Sequence, residues 1–113
     1  AGGGTAGNHL QKMFERLGLI EETAGRTVLR IGGYNVMKEV AEGRAPFGLT
    51  QSTEIVAVEG VEIAAWLPEE VQLTTRYAVA LGRNAGPAAR DFLAFLGQDP
   101  CRAAFDAAGF ARP

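Results

Sequence analysis

Glycine divides this 113-residue sequence into short segments, which limits the length of any helix or strand. Fifteen residues are glycine, and four of them lie within the first seven positions. Gly18, Gly43 and Gly109 each follow an apolar helical pattern and predict helix ends, because glycine readily takes the left-handed backbone that terminates a helix. The Gly32–Gly33 pair ends a β-branched run. The sequence therefore predicts short elements within about one domain.

Helices are predicted where apolar residues recur three and four positions apart. The first has Thr5 as its N-cap and an apolar face of Leu10, Met13, Phe14 and Leu17. A second follows Asn35 and ends at Gly43. A third starts near Pro87, with a buried stripe of Ala89, Phe92, Leu93 and Leu96. A fourth has Asp99 as its N-cap and an inner face of Ala104, Phe105 and Ala108.

Strands are predicted where β-branched and apolar residues form short runs between turn residues. These runs are residues 27–31, 47–50, 61–66 and 71–81. The segment 27–50 therefore has the order strand, helix, strand, with connections short enough for a βαβ unit. Such units build parallel sheets, so the predicted fold class is α/β.

Charge and rare residues exclude several functional classes. The chain has 11 basic and 13 acidic residues, a net charge of −2, which argues against a nucleic-acid partner. Cys101 is the only cysteine and His9 the only histidine. The sequence therefore predicts no internal disulfide, no multi-cysteine zinc site, no histidine-pair metal site and no cofactor. Cys101 follows a helix start, but a small packed side chain is the favoured interpretation.

The glycine-rich start matches the spacing of a dinucleotide-binding loop, Gly2-x-Gly4-x-x-Gly7. That motif normally follows a strand and opens a helix inside a βαβ unit. No strand precedes it here, and the acidic residue expected about 20 positions on would be Glu21 or Glu22. A small nucleotide-dependent enzyme is therefore an alternative that lacks the usual context of this motif.

Loops rich in glycine and hydroxyl residues stand where ligands commonly bind. One leads into the first helix, the Gly32–Gly33 pair leads into the second, and residues 50–53 follow a predicted strand. A helix N-terminus presents backbone N–H groups and the positive end of the helix dipole, which suit a small anion or a carboxylate. Because ligands of open α/β sheets bind at the carboxyl ends of strands, these loops are expected to form one rim. A plain helix cap remains the alternative for the first loop.

The order of motifs resembles the second lobe of periplasmic molybdate-binding-like proteins, which are solute-binding components of ABC importers. The similarity covers nearly the whole chain, and it is carried by the order and spacing of its motifs. These are Thr5-Ala6-Gly7, Glu15-Arg16-Leu17-Gly18, the run from Val40 to Gly48, Gly60-Val61, Leu67-Pro68, Thr75-x-Tyr77, Phe92-Leu93-x-Phe95-Leu96 and Ala108-Gly109-Phe110.

The resemblance implies a type II periplasmic-binding fold, in which two α/β lobes joined by crossover strands enclose the ligand. Residues 1–70 would form the second lobe, a three-layer unit with parallel βαβ units. Residues 71–76 would be a crossover strand. Residues 77–113 would be the returning strand and C-terminal helices of an incomplete first lobe. The chain would then be the C-terminal part of such a protein, and alone it would bind weakly or not at all, because half of the cleft is absent.

The resemblance also implies a binding site and partners. The contacts map to Thr5, to the backbone N–H groups of Ala6 and Gly33, and to Gln51. The best-known molybdate binders have a tyrosine where this chain has Gln51 and usually a valine where it has Gly33. The implied ligand is a molybdate-like oxyanion or another small polar solute, captured without catalysis in an interlobe cleft.

The implied partners are the membrane permease of the importer and, through an orphaned sheet edge, a second copy of the chain in a homodimer or domain-swapped assembly. The implied location is periplasmic or extracellular. The alternative function is the ligand-sensing domain of a transcriptional regulator with the same fold.

Overall fold

The computed structural model of the protein describes residues 4–110. Its regular elements are α1 (Thr5–Arg16), α2 (Ile20–Thr23), α3 (Gly33–Ala41), α4 (Ser52–Ile55), a 3-10 turn (Glu69–Val71), α5 (Pro87–Leu96) and α6 (Asp99–Ala107). The chain forms two compact units that divide between Leu73 and Thr74. The first unit holds α1 to α4 and the 3-10 turn, and the second holds α5 and α6.

The predicted α/β class, with its three-layer lobe of parallel βαβ units and a returning strand, is wrong. Between residues 4 and 110 the structure contains helices and irregular backbone but no β-strand. The segments 27–31, 47–50, 61–66 and 72–81 are irregular, and no backbone hydrogen bond joins any two of them. β-Branched composition favours extended backbone, but a strand exists only where a neighbouring strand accepts and donates its hydrogen bonds.

The predicted helices are present, with small shifts at their starts. Pro87 is the first residue of α5, as predicted, because its missing N–H costs nothing there. Gly4 rather than Thr5 precedes α1 as its N-cap, and Gln98 rather than Asp99 precedes α6. The second predicted helix, α3, begins at Gly33, two positions before Asn35. Asn35 instead donates from Nδ2 to the carbonyl of Ile31, at 2.8 Å.

The core of the first unit is small. Its buried apolar side chains are Met13 from α1, Met37 from α3 and Val58, which are 6%, 3% and 8% exposed. Gly48 lies against α3, where a side-chain Cβ would come within 2.5 Å of Met37 Cε. The missing side chain therefore lets the extended segment after Pro46 pass close to the helix.

Helix α1 is fixed to the segment around the 3-10 turn by two side chains. His9 donates from Nε2 to the carbonyl of Val71, at 2.8 Å. Arg16, in the last turn of α1, donates from Nη2 to the carbonyl of Glu70, at 2.6 Å. These hydrogen bonds tie the middle and the end of the helix to one short stretch of chain.

The second unit has apolar helix faces that are largely exposed. In its described part no apolar side chain is buried. The stripe predicted to be buried on α5 is half-buried at Leu93 and Leu96, while Phe92 is 61% exposed. The rings of Phe105 and Tyr77 each meet Phe110 edge to face, with centroids 5.5 and 5.8 Å away. Aromatic edge-to-face pairs of this kind add modestly to area burial.

Candidate functional site

The start of α1 carries two of the predicted ligand contacts. Thr5 and Ala6 are its first two residues, and no side chain caps the helix. The first hydrogen bond of the helix runs from the Asn8 N–H to the carbonyl of Gly4, at 3.0 Å. The helix therefore provides no acceptor for the backbone N–H groups of Thr5, Ala6 and Gly7. Gly2 of the dinucleotide-like motif lies outside the described residues.

The start of α3 carries a third predicted contact, and its donor already binds a carboxylate. Gly33 is the first residue of α3, is buried, and donates its N–H to Glu54 Oε1 at 3.0 Å. The hydroxyl of Thr50 donates to the other oxygen, Glu54 Oε2. One carboxylate thus accepts from a helix N-terminus and from a hydroxyl, the donor types that were predicted for an anion.

Gln51, the fourth predicted contact, lies in the same cluster. It is the N-cap of α4, is half-buried, and stands between Thr50 and Glu54 in the chain. Its carbonyl accepts from the Glu54 N–H at 3.0 Å. Gly33 and Gln51 are therefore both hydrogen-bonded to Glu54, Gly33 through its N–H and Gln51 through its carbonyl. Within residues 4–110 no hydrogen bond joins Thr5 or Ala6 to the cluster around the Glu54 carboxylate.

Glu54 is a residue of this cluster that the sequence does not single out, whereas Thr50 belongs to the loop 50–53 that was predicted to bind a ligand. An acidic residue three positions after an N-cap normally turns back to cap its own helix. The Gln51-x-x-Glu54 spacing would have marked Glu54 as a candidate, but as a local cap. Its contact with Gly33, 21 positions away, depends on the packing of α3 against α4.

A second charged cluster lies at the other end of α3. Glu39 accepts hydrogen bonds from Arg44 Nε at 2.9 Å and from Arg30 Nε at 3.1 Å. The two guanidinium groups border a shallow groove together with Leu29 and Lys38. None of the predicted contact residues lines this groove, so the cluster supports α3 rather than the predicted site.

The Arg44 and Arg30 hydrogen bonds hold the pKa of Glu39 well below its ordinary value of 4.5, at about 2. A carboxylate that is held ionised when folded stabilises the fold above its unfolded pKa. This contribution is therefore complete above pH 4.5 and is lost as the pH falls through about 2.

In Glu39→Gln the free energy of unfolding should fall less between pH 4.5 and about 2 than it does in the wild type, because the variant has no carboxylate to protonate. Urea unfolding at several pH values in this range measures the difference. Glu59→Gln, at an exposed position, is the control and should keep the wild-type pH dependence; equal slopes for both variants would refute the assignment.

Neither a cluster of metal-ligating side chains nor a helix able to cross a membrane occurs among residues 4–110. No group of three or more histidine, cysteine, aspartate or glutamate side chains is placed to hold a metal ion there. None of the helices between residues 4 and 110 has the length and apolar content needed for a membrane span. Cys101 is a free cysteine, and its side chain is half-buried in α6.

Comparison with known proteins adds one match. The model of a family described as bacterial extracellular solute-binding protein matches residues 2–111. Neither the search of curated proteins nor the search of solved structures finds a match. The matched range includes all four predicted contact residues and the carboxylate cluster.

Proposed function

Because the chain belongs to the bacterial extracellular solute-binding protein family, we propose that it is the solute-binding component of an ABC importer. Membership implies a small solute as ligand and a transporter permease as partner. The family description also supports a periplasmic or extracellular location. Its members are binding proteins, so no catalytic step is proposed.

The proposed ligand is a small anion, a molybdate-like oxyanion or a small solute with a carboxylate-like group. The observation that carries this proposal is the carboxylate held by the Gly33 N–H and the Thr50 hydroxyl. Neutral donors at a helix start bind an oxygen anion without placing a full positive charge beside it. The same kind of donor is offered at the start of α1 by Thr5 and Ala6.

Gln51 would supply the side-chain donor of the site. Its amide NH2 can donate two hydrogen bonds, so it can replace a hydroxyl as a ligand contact. The glutamine side chain reaches further from the backbone than that of serine or threonine, and its amide carries no charge. The proposed contact set is therefore Thr5, Ala6, Gly33 and Gln51, with binding by hydrogen bonds alone.

Calorimetric titration of the chain with molybdate tests this proposal. Gln51→Ala should weaken binding about tenfold, which corresponds to losing one hydrogen bond to a charged group. Gln72→Ala, an exposed glutamine in the same unit, is the matched control and should leave the affinity unchanged. Equal affinities for Gln51→Ala and wild type, or no binding by the wild type, would contradict the proposal.

The sensing domain of a transcriptional regulator is the less favoured alternative, because the matched family is described as extracellular. The lobe boundaries at residues 1–70, 71–76 and 77–113, and the homodimer or domain-swapped assembly, stay predictions.

A further inference from the structure

The contact between Glu54 and Gly33 occupies a donor that the proposed function assigns to the solute. A backbone N–H has one hydrogen and makes one strong hydrogen bond. In this structure that bond goes to Glu54 Oε1, at 3.0 Å, so the Gly33 donor is already used. A solute anion at Gly33 must therefore replace the Glu54 carboxylate.

The space above Gly33 is also filled. A Cβ built on Gly33 would overlap both Thr50 Oγ1 and Glu54 Oε2. Glycine is thus the residue that lets these two oxygens approach the start of α3. A second oxygen anion has no room at this position while the carboxylate stays, and it would meet a like charge at close range.

Glu54 can leave this position without breaking a buried ion pair. Among residues 4–110 Glu54 forms no ion pair, and its side chain is half-buried. Glu54 belongs to α4, a helix of four residues, and its carboxylate is held by the hydrogen bonds from Gly33 and Thr50. An incoming anion would offer the same two donors a replacement acceptor.

We propose that Glu54 is a built-in competitor of the solute, and that it sets the affinity and the charge preference of the site. This inference rests on the proposed function, since it concerns the same donors. While Glu54 occupies them, the site disfavours free anions. A solute that displaces it must offer the donors an equal acceptor, and one that also brings a positive group gains from the displaced carboxylate.

Titration with molybdate of wild type and of Glu54→Gln tests the competition. The glutamine keeps the size of the side chain and removes its charge, so its hold on Gly33 weakens. We expect Glu54→Gln to bind molybdate about tenfold more tightly than wild type, with ~1.4 kcal/mol as the matching free energy. Glu62→Gln, at an exposed position, removes the same charge elsewhere in the unit and should leave the affinity unchanged.

A second variant covers the case in which Glu54→Gln fails to fold. Glu54→Asp keeps the charge, but its shorter side chain cannot reach Gly33 from the same backbone position, so it should also raise the affinity. Wild-type or weaker affinity in the folded variants would overturn the competition and leave the proposed function standing. If neither wild type nor the variants bind molybdate, anion capture at this site fails, and the inference fails with it.

Discussion

Met37→Ala is expected to lower the free energy of unfolding of the first unit by about 2–5 kcal/mol, the usual cost of truncating a buried methionine. Met37 is 3% exposed, the least exposed of the three buried apolar side chains of that unit. Truncation removes the most deeply buried apolar contacts of this unit and leaves a cavity in their place. Urea unfolding followed by far-ultraviolet circular dichroism measures the loss.

Two matched variants separate packing from general hydrophobicity. Met37→Leu nearly conserves volume and should cost less than about 1.5 kcal/mol. Ile31→Ala removes a similar apolar side chain at a position that is 84% exposed, and should change stability by about 0.5 kcal/mol at most. Equal losses for Met37→Ala and Ile31→Ala would show that Met37 is not the centre of the core.

Gly48→Val is expected to destabilise the same unit by about 1–3 kcal/mol through overpacking. A Cβ at this position would lie 2.5 Å from Met37 Cε, 2.9 Å from Val36 Cγ1 and 3.3 Å from Val40 Cγ2. These atoms form the inner face of α3, so relief requires either the helix or the segment after Pro46 to move. A shift of α3 would also move Gly33, so molybdate affinity should fall together with stability.

The control for Gly48→Val is Gly82→Val. No heavy atom would lie within 4 Å of a Cβ at Gly82, so the new side chain meets open space. Its effect on the free energy of unfolding should stay within about 0.5 kcal/mol, the range of ordinary surface substitutions. A Gly48→Val protein as stable as the wild type would contradict the close approach of residue 48 to α3.

Helix positions could be predicted from the sequence because their signals are local. Pro87 fixes the start of α5, and Gly18, Gly43 and Gly109 follow α1, α3 and α6 with positive φ angles of 70°, 71° and 82°. Each signal acts within one turn of backbone, so no distant residue is needed to interpret it.

The predicted strands failed because pairing is not a local property. Residues 27–31 have the β-branched and apolar composition of a strand, yet no neighbouring segment pairs with them in the described structure. The predicted burial of the α5 helix face was wrong for the same reason. Phe92 has the right spacing for a buried stripe, but spacing does not supply a surface to pack against.

The solute contacts stay a prediction. Local sequence places Gly33 before a predicted helix and Gln51 after a predicted strand, and the resemblance assigns both as contacts. The Glu54 carboxylate could not be assigned, because its reach to Gly33 depends on how α3 and α4 pack. The sequence therefore predicts Gly33 as a contact for an anion, but it does not predict that the protein places its own carboxylate there.

The proposed function requires that the starts of α1 and α3 bind one solute anion together. Amide proton–nitrogen correlation spectra recorded during titration with molybdate test it directly, with Ala88 at the start of α5 as the internal control. We expect the Ala6 and Gly33 amide signals to shift along one saturation curve while that of Ala88 stays in place. Unchanged signals at Ala6 and Gly33, or equal shifts at Ala88, would contradict it, since the latter shows general attraction of anions to helix starts.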